Sequence, residues 1–288
     1  MVGRLYIDGK DSYTTYGIYV QMGGWNELVS MPPLKAIPQN DWQEEDGIEV
    51  DLSEPVLDSR EVAVRFAVRD IGNQYHDFIQ LLSDGAYHTF DCRHISRYYR
   101  LRLVGVGSFT VNGNLGDVVL KFADDFPLDG YTYSPPISNL LPDVSFAIDE
   151  VPFSDYGIRI LGGTLSEIIR TADVKQNLYK NIKSQKGAIY DPKSVVYKSK
   201  DVRITCLMIA DTINGLWHNY DALNNDLAKA GERILWVGSL VRSFSCFYKS
   251  CQVIEFFPDQ GKAWIKFVLT LTFIRDFRIS IKDKLHEN

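Results

Sequence analysis

Apolar and polar residues alternate most regularly from Arg60 onward. Val62, Val64, Phe66 and Val68 fall on one face and Glu61, Arg65 and Arg69 among the others. That period of two predicts a half-buried strand. The period then changes. Tyr75, Phe78, Ile79 and Leu82 recur at helical spacing and predict two or three turns, stopped at Gly85. Strands are predicted next over 87–92, 98–106 and 118–122, with a hairpin turn at Asn112-Gly113. Upstream, LYIDG predicts a short strand turning at Asp8-Gly9, and YGIYV a second strand ending at Gly23-Gly24. Between these and Arg60, residues 30–57 hold Pro32, Pro33, Pro38 and Pro55 with the acidic run Glu44-Glu45-Asp46-Gly47. Proline cannot serve a central ladder, so this is a long loop or hairpin excursion.

The same order returns about 140 residues later. Tyr16-Gly17-Ile18 recurs as Tyr156-Gly157-Ile158, and the strand from Glu61 realigns without a gap on the strand from Asp201, so that Val62, Val64 and Val68 match Val202, Ile204 and Met208. The second helix, from Leu216 to about Lys229 and stopped by Gly231, is longer. The later strands ILWVG, SFSCFY, CQVIEFF and WIKFVLTLTFI are more apolar, and Ile265, Phe267, Leu269, Leu271 and Phe273 share one face of the last. Both copies end on an acid–aromatic pair, Asp125-Phe126 and Asp276-Phe277. One asymmetry stands out: TADVKQNLYKNIKSQKGAIYDP replaces the proline loop and reads as basic and partly helical. Self-similarity at a fixed period sets the architecture. The expected fold is mainly β with minor α, in two tandem related β-barrel or β-sandwich domains, each with one packed helix. Expected bounds are 1–126 and 144–288, with residues 127–143 as a stiff, proline-rich connector that spaces the two.

Composition narrows the function. Sixteen Tyr and fifteen Phe agree with strands, and a formal net charge of -6 argues against a protein that grips nucleic acid through a basic face. No run approaches the roughly 18 apolar residues of a membrane span, and the charged opening MVGRLYIDGKDSY lacks the apolar stretch of a secretory signal. Cys92, Cys206, Cys246 and Cys251 form no paired framework, as expected of a protein made in a reducing cytoplasm.

Candidate chemistry is sparse. His88, Cys92 and His94 offer three borderline zinc ligands without a fourth and without an echo in the second copy, so no metal site is expected. His76 and His218 hold similar places near the start of each helix, with no nucleophile elbow to serve. Glu44-Glu45-Asp46 and Asp124-Asp125 read as a charged loop tip and a blunted strand end rather than hydrolytic pairs. The glycine pairs lack phosphate-cradling spacing. Neither an enzyme nor a cofactor is expected. Trp25 and Trp42, with Met22, Met31 and Leu34 and the acidic trio, suit either a protein interface or a cover folded back over their own barrel.

The duplicated barrel with one helix, the long excursion between early strands, and the paired openings LYIDGKDSYTTYGIYV and FAIDEVPFSDYGIRIL resemble the tail-tube-like proteins of long-tailed bacteriophages and prophages, above all the distal tail and baseplate-hub proteins. The resemblance covers both copies. It implies a structural role, in which barrels pack into a ring (a trimer or a hexamer) that continues the tube through which DNA passes without specific binding. It also implies other tail or baseplate proteins as partners, and a path from the bacterial cytoplasm to the virion tail. Loops ordered on assembly would be 30–57 and 175–192, the latter bringing Tyr179, Lys183 and Tyr190 to the interface. The alternative is a two-domain carbohydrate- or protein-binding β-sandwich that presents Trp25, Trp42 and the acidic trio to a ligand.

Overall fold

The computed structural model describes residues 1–175, 179–190, 195–259 and 261–275. Its first half runs β1 (Tyr6–Ile7), β2 (Lys10–Asp11), α1 (Ser12–Tyr16), β3 (Ile18–Val20), α2 (Asn26–Val29), β4 (Gln39–Asn40), β5 (Glu49–Val50), β6 (Arg60–Val68), α3 (Asn73–Leu82), β7 (His88–Cys92), β8 (Arg97–Asn112) and β9 (Leu115–Asp124). The second half runs β10 (Phe146–Ile148), β11 (Val151–Pro152), β12 (Ile158–Ile160), α4 (Thr164–Ile169), β13 (Tyr179–Asn181), β14 (Ala188–Tyr190), β15 (Lys200–Ala210), α5 (Ile213–Leu227), β16 (Arg233–Val237), β17 (Arg242–Phe257) and β18 (Ala263–Phe273). Where the first half has α1, the second has a 3-10 turn at Phe153–Tyr156.

The chain is mostly β with minor α. Its two seven-stranded sheets have the orders β2-β1-β7-β8-β9-β6-β3 and β11-β10-β16-β17-β18-β15-β12, which are one order written in equivalent strands. The register repeats as well: Ile18 faces Val68, and Ile158 faces Met208. Val62, Val64, Phe66 and Val68 are buried, as are Ile265, Phe267, Leu269, Leu271 and Phe273, so each alternating face supplies its own core. The segments SFSCFY and CQVIEFF form the single strand β17, bent by a bulge between Tyr248 and Ser250. A bulge between Leu103 and Gly105 bends β8 at the matching position.

Four sequence expectations change. YGIYV becomes a strand only at Ile18, because Tyr16 closes a helical turn that Gly17 ends at a φ of 66°. Each half has short helices besides the long one, in α1, α2 and α4. The basic segment of the second half is the β13–β14 hairpin rather than a helix. It matches β4–β5, and the bridges Leu34–Leu57 and Val174–Tyr197 close the two excursions at equivalent places. The connector does not hold the halves apart. It lies along α5, where Ile137 N–H donates to Asn219 at 2.8 Å, the Asn219 amide returns a bond to the Ile137 carbonyl at 2.8 Å, and Asn139 donates to Asp211 at 2.9 Å. The pair Asp276-Phe277 lies outside the described residues.

Candidate functional site, the junction between the two copies

His88, considered above as a zinc ligand, is a structural latch. Its ring binds Asp8 at 2.6 Å and Asp84 at 3.1 Å, while Asp8 also accepts from Thr89 N–H. Asp149, Arg233 and Ile234 N–H build the same latch in the second half. Cys92 is buried with its thiol pKa pushed up by desolvation, and Arg97 rather than His94 continues into the sheet. Among the described residues no group of three His, Cys, Asp or Glu is placed to hold a metal.

The concentrated polar chemistry lies where the two halves meet. The strap formed by residues 26–32 crosses to β17. Asn26 donates to the Ile254 carbonyl at 2.8 Å, Val253 N–H to Ser30 Oγ at 3.0 Å, and the Tyr248 hydroxyl to the Pro32 carbonyl at 2.9 Å. Arg60 holds the strap from behind by donating to the carbonyls of Leu28 and Ser30, and Asp124 pairs with its guanidinium at 2.9 Å. Burial under this strap pushes the Cys251 thiol up to about 11.

The tip of the β4–β5 arm makes the second contact. Gly47 N–H donates to the Tyr197 carbonyl at 2.8 Å, Ile48 N–H to the Ile274 carbonyl at 3.1 Å, and Tyr197 N–H to the Asp46 carboxylate at 2.7 Å. Lys175, buried, reaches up into this tip and donates to the Trp42 and Gly47 carbonyls at 2.6 Å each, with Asp41 at 2.5 Å. A buried ammonium needs such a cage, because an unpaired charge there is costly. A Cβ on Gly47 would fall 1.7 Å from the Ile274 carbonyl oxygen, so only glycine permits this approach.

The third contact joins the turn before β8 to α5. Arg97 pairs with Asp221 at 2.5 Å and lies over the Trp217 ring at 4.2 Å, and the Trp217 indole donates to the Ile95 carbonyl at 2.5 Å. Burial raises the Asp221 pKa, and Arg97 only partly offsets it. All three contacts use one set of surfaces on the first half and another on the second. The junction is therefore head-to-tail.

Both sets of surfaces recur at the far ends of the chain. In the second half Lys200 donates to the Ile168 and Arg170 carbonyls at 2.5 and 2.6 Å, as Arg60 does in the first, and desolvation lowers its pKa to about 8. Leu165 and Ile169 of this second strap are exposed, whereas their counterparts Trp25 and Val29 are buried. On β8, Val106 is 53% and Phe109 43% exposed, whereas their counterparts under the first strap, Cys251 and Val253, are 6% and 5% exposed. Lys35 is exposed where Lys175 is buried.

Of the residues singled out from sequence, the junction gathers Met31, Asp46 and, through its carbonyl, Trp42. Trp25 and Met31, which the sequence allowed either as interface or as internal cover, are buried, because the strap that carries them is covered within the chain. Leu34 is half-buried beside Leu57. Met22, Glu44 and Glu45 are exposed and apart from the junction bonds, and Trp42 is half exposed with its indole on Glu49 at 2.9 Å. Tyr179 and Lys183 are exposed on the second arm. Tyr190 pairs with Tyr179 through the backbone, and its side chain lies outside the described residues. Sequence reasoning missed Gly47, Arg60, Arg97, Lys175, Lys200 and Trp217. The signal for several of them was the same spacing of about 140 residues, which carries Lys35 to Lys175, Gly47 to Gly187 and Arg60 to Lys200.

No protein-family model matches the chain, and no curated protein matches it. Among solved structures, the chain is similar to SPP1 Dit (gp 19.1), described as a paradigm of the hub adsorption apparatus in phages that infect Gram-positive hosts. The identity is 12% and the TM-score 0.32, over 94% of this chain and 98% of that one. At that score two chains need not share an architecture, and the reading of function rests on the geometry of this chain. No helix among the described residues is long and apolar enough to cross a membrane.

Proposed function

We propose that this chain is a structural component of a phage or prophage tail that self-assembles head-to-tail into a ring at the distal tail or baseplate, around the DNA channel. Residues 1–126 and 144–288 are then two copies of one module, and 127–143 is the connector strapped to the second. The observation that carries the reading is the head-to-tail junction between the copies, since a heterologous contact between like modules generates a ring when its rotation closes. The paired openings LYIDGKDSYTTYGIYV and FAIDEVPFSDYGIRIL support the tail assignment. A trimer would present six modules and a hexamer twelve, and other tail or baseplate proteins would cover the two rims. A net charge of -6 favours passage of DNA over capture.

Light scattering across a concentration series near neutral pH tests this reading. Trimers or hexamers are the expected result. A folded chain that stays monomeric throughout would remove self-assembly as its intrinsic function, and a glycan- or protein-binding module would be the reading left.

A further inference from the structure

We infer that the second copy of one chain docks on the first copy of another through a repeat of the internal junction, with the 166–172 strap laid across the free face of β8 and the β13–β14 arm over Lys35. This rests on the assembly reading above and names its contact surface. Strand register fixes the correspondence. Leu103 faces Phe122 in β9, Tyr248 faces Leu271 in β18, and the same bulge follows each. Val106 therefore stands where Cys251 stands, and Phe109 where Val253 stands. In the second half these positions are covered by the first strap, while in the first half Phe109 is covered on one side only, by the stacked ring of Tyr75 at 4.9 Å, and both Val106 and Phe109 stay exposed and apolar. Apolar residues left exposed together on a sheet face mark a contact surface.

The other half of the contact is equally prepared. Lys200 pins the second strap as Arg60 pins the first, and the bridge from Val174 to Tyr197 closes its base. Leu165, Ile169, Val174, Tyr179 and Ile189 give this end an exposed apolar set. Gly187, at the tip of the second arm, has a φ of 83° against 73° for Gly47, and among the described residues nothing lies within 4 Å of the Cβ it lacks. The tip that matches Gly47 in shape is thus unoccupied. Lys175 is received by two backbone carbonyls and Asp41, and the second arm offers Lys35 the equivalent carbonyls of Ile182 and Gly187, with Asn181 in place of Asp41.

Charge supports a second copy as the occupant. The docked arm carries Asp41, Glu44, Glu45 and Asp46 and meets Lys175 and Arg275, with Lys198 next along the chain from the Tyr197 that bonds Asp46. The free arm carries Lys180, Lys183 and Lys186, and the receiving edge of the first copy has Asp58 at the position of Lys198. Lys35 keeps the sign of Lys175, while the arm charges and the Asp58/Lys198 position reverse together, so complementarity is kept there.

The experiment uses Val106→Cys and Thr171→Cys in the full chain, the pair that matches Cys251 and Met31 inside it. The four native cysteines are buried and leave the background low. An equimolar mixture of the two single variants under mild oxidation should give a disulfide-linked dimer, which neither variant forms alone. The double variant should give a ladder that ends at the ring size. Val106→Asp, on a position 53% exposed, should weaken association at least tenfold in light scattering, with the melting curve unchanged. If the wild-type chain associates while the mixture gives no cross-link and Val106→Asp associates normally, this docking surface is overturned and the assembly reading stands. If the wild-type chain is monomeric at every concentration and no cross-link forms, both are overturned.

Discussion

Gly47 and Gly187 form a matched pair for measuring what the internal junction contributes. Both have φ near +80°, where an L side chain costs about 1–2 kcal/mol. Gly187→Ala in the monomer should cost no more than that, since open space surrounds its missing Cβ. Gly47→Ala adds a Cβ 1.7 Å from the Ile274 carbonyl oxygen, with backbone on both sides, so the arm must lift. Lifting it loses the bonds from Gly47 N–H to Tyr197 and from Ile48 N–H to Ile274, each worth about 1 kcal/mol net. It also opens the cage around the Lys175 ammonium, and an under-satisfied buried charge costs about 1–3 kcal/mol more. Gly47→Ala should therefore destabilise by about 4–7 kcal/mol. Urea unfolding of both variants, at concentrations low enough to hold the monomer, compares them directly. Equal costs for the two, within about 1 kcal/mol, would refute the tight approach of the first arm and the account of Lys175 built on it.

Arg97→Met alone should destabilise by about 3 kcal/mol, because it leaves the Asp221 carboxylate buried without its partner, and adding Asp221→Leu should recover most of that in a denaturation series. Lys200 has a folded pKa of about 8 against 10.5 in the unfolded chain, so the unfolded state binds more protons between those values. Stability should rise with pH across that window, with the penalty fully present below pH 8, and Lys200→Met should flatten the slope in pH-dependent melts. Gly187→Ala, mild in the monomer, should impair association in light scattering if the second arm docks as the first does. Raising salt from 50 mM to 500 mM should weaken that association, since the arm charges are exposed and screened.

The sheet was legible in the sequence wherever one face meets a core and the other meets water. That is why the strand from Arg60 and the face from Ile265 to Phe273 read correctly. The two arms were not legible, because their residues alternate for neither core. Gln39 and Asn40 pair with Glu49 and Val50 as an exposed ribbon, and lysines in the second arm resembled a solvated helix. Trp25 and Met31 stayed ambiguous for a related reason: an aromatic or methionine on a proline-rich loop looks the same whether its cover comes from another chain or from the second half of its own. Lys175 was invisible because two of its three partners are carbonyls, which leave no mark in the side-chain sequence, and the third, Asp41, lies far away along the chain.

The opposite signs on the two arm tips have a consequence for fidelity. Two copies of one module with identical tips would have no means of distinguishing a first-to-second junction from a first-to-first one. Here an acidic tip brought to the first copy would meet Asp58, and a basic tip brought to the second would meet Lys198 and Arg275, so each mispairing sets like charges against each other. Divergence between the halves thus serves as an address: it lets a duplicated chain keep strict alternation of its modules with no change in the shared backbone.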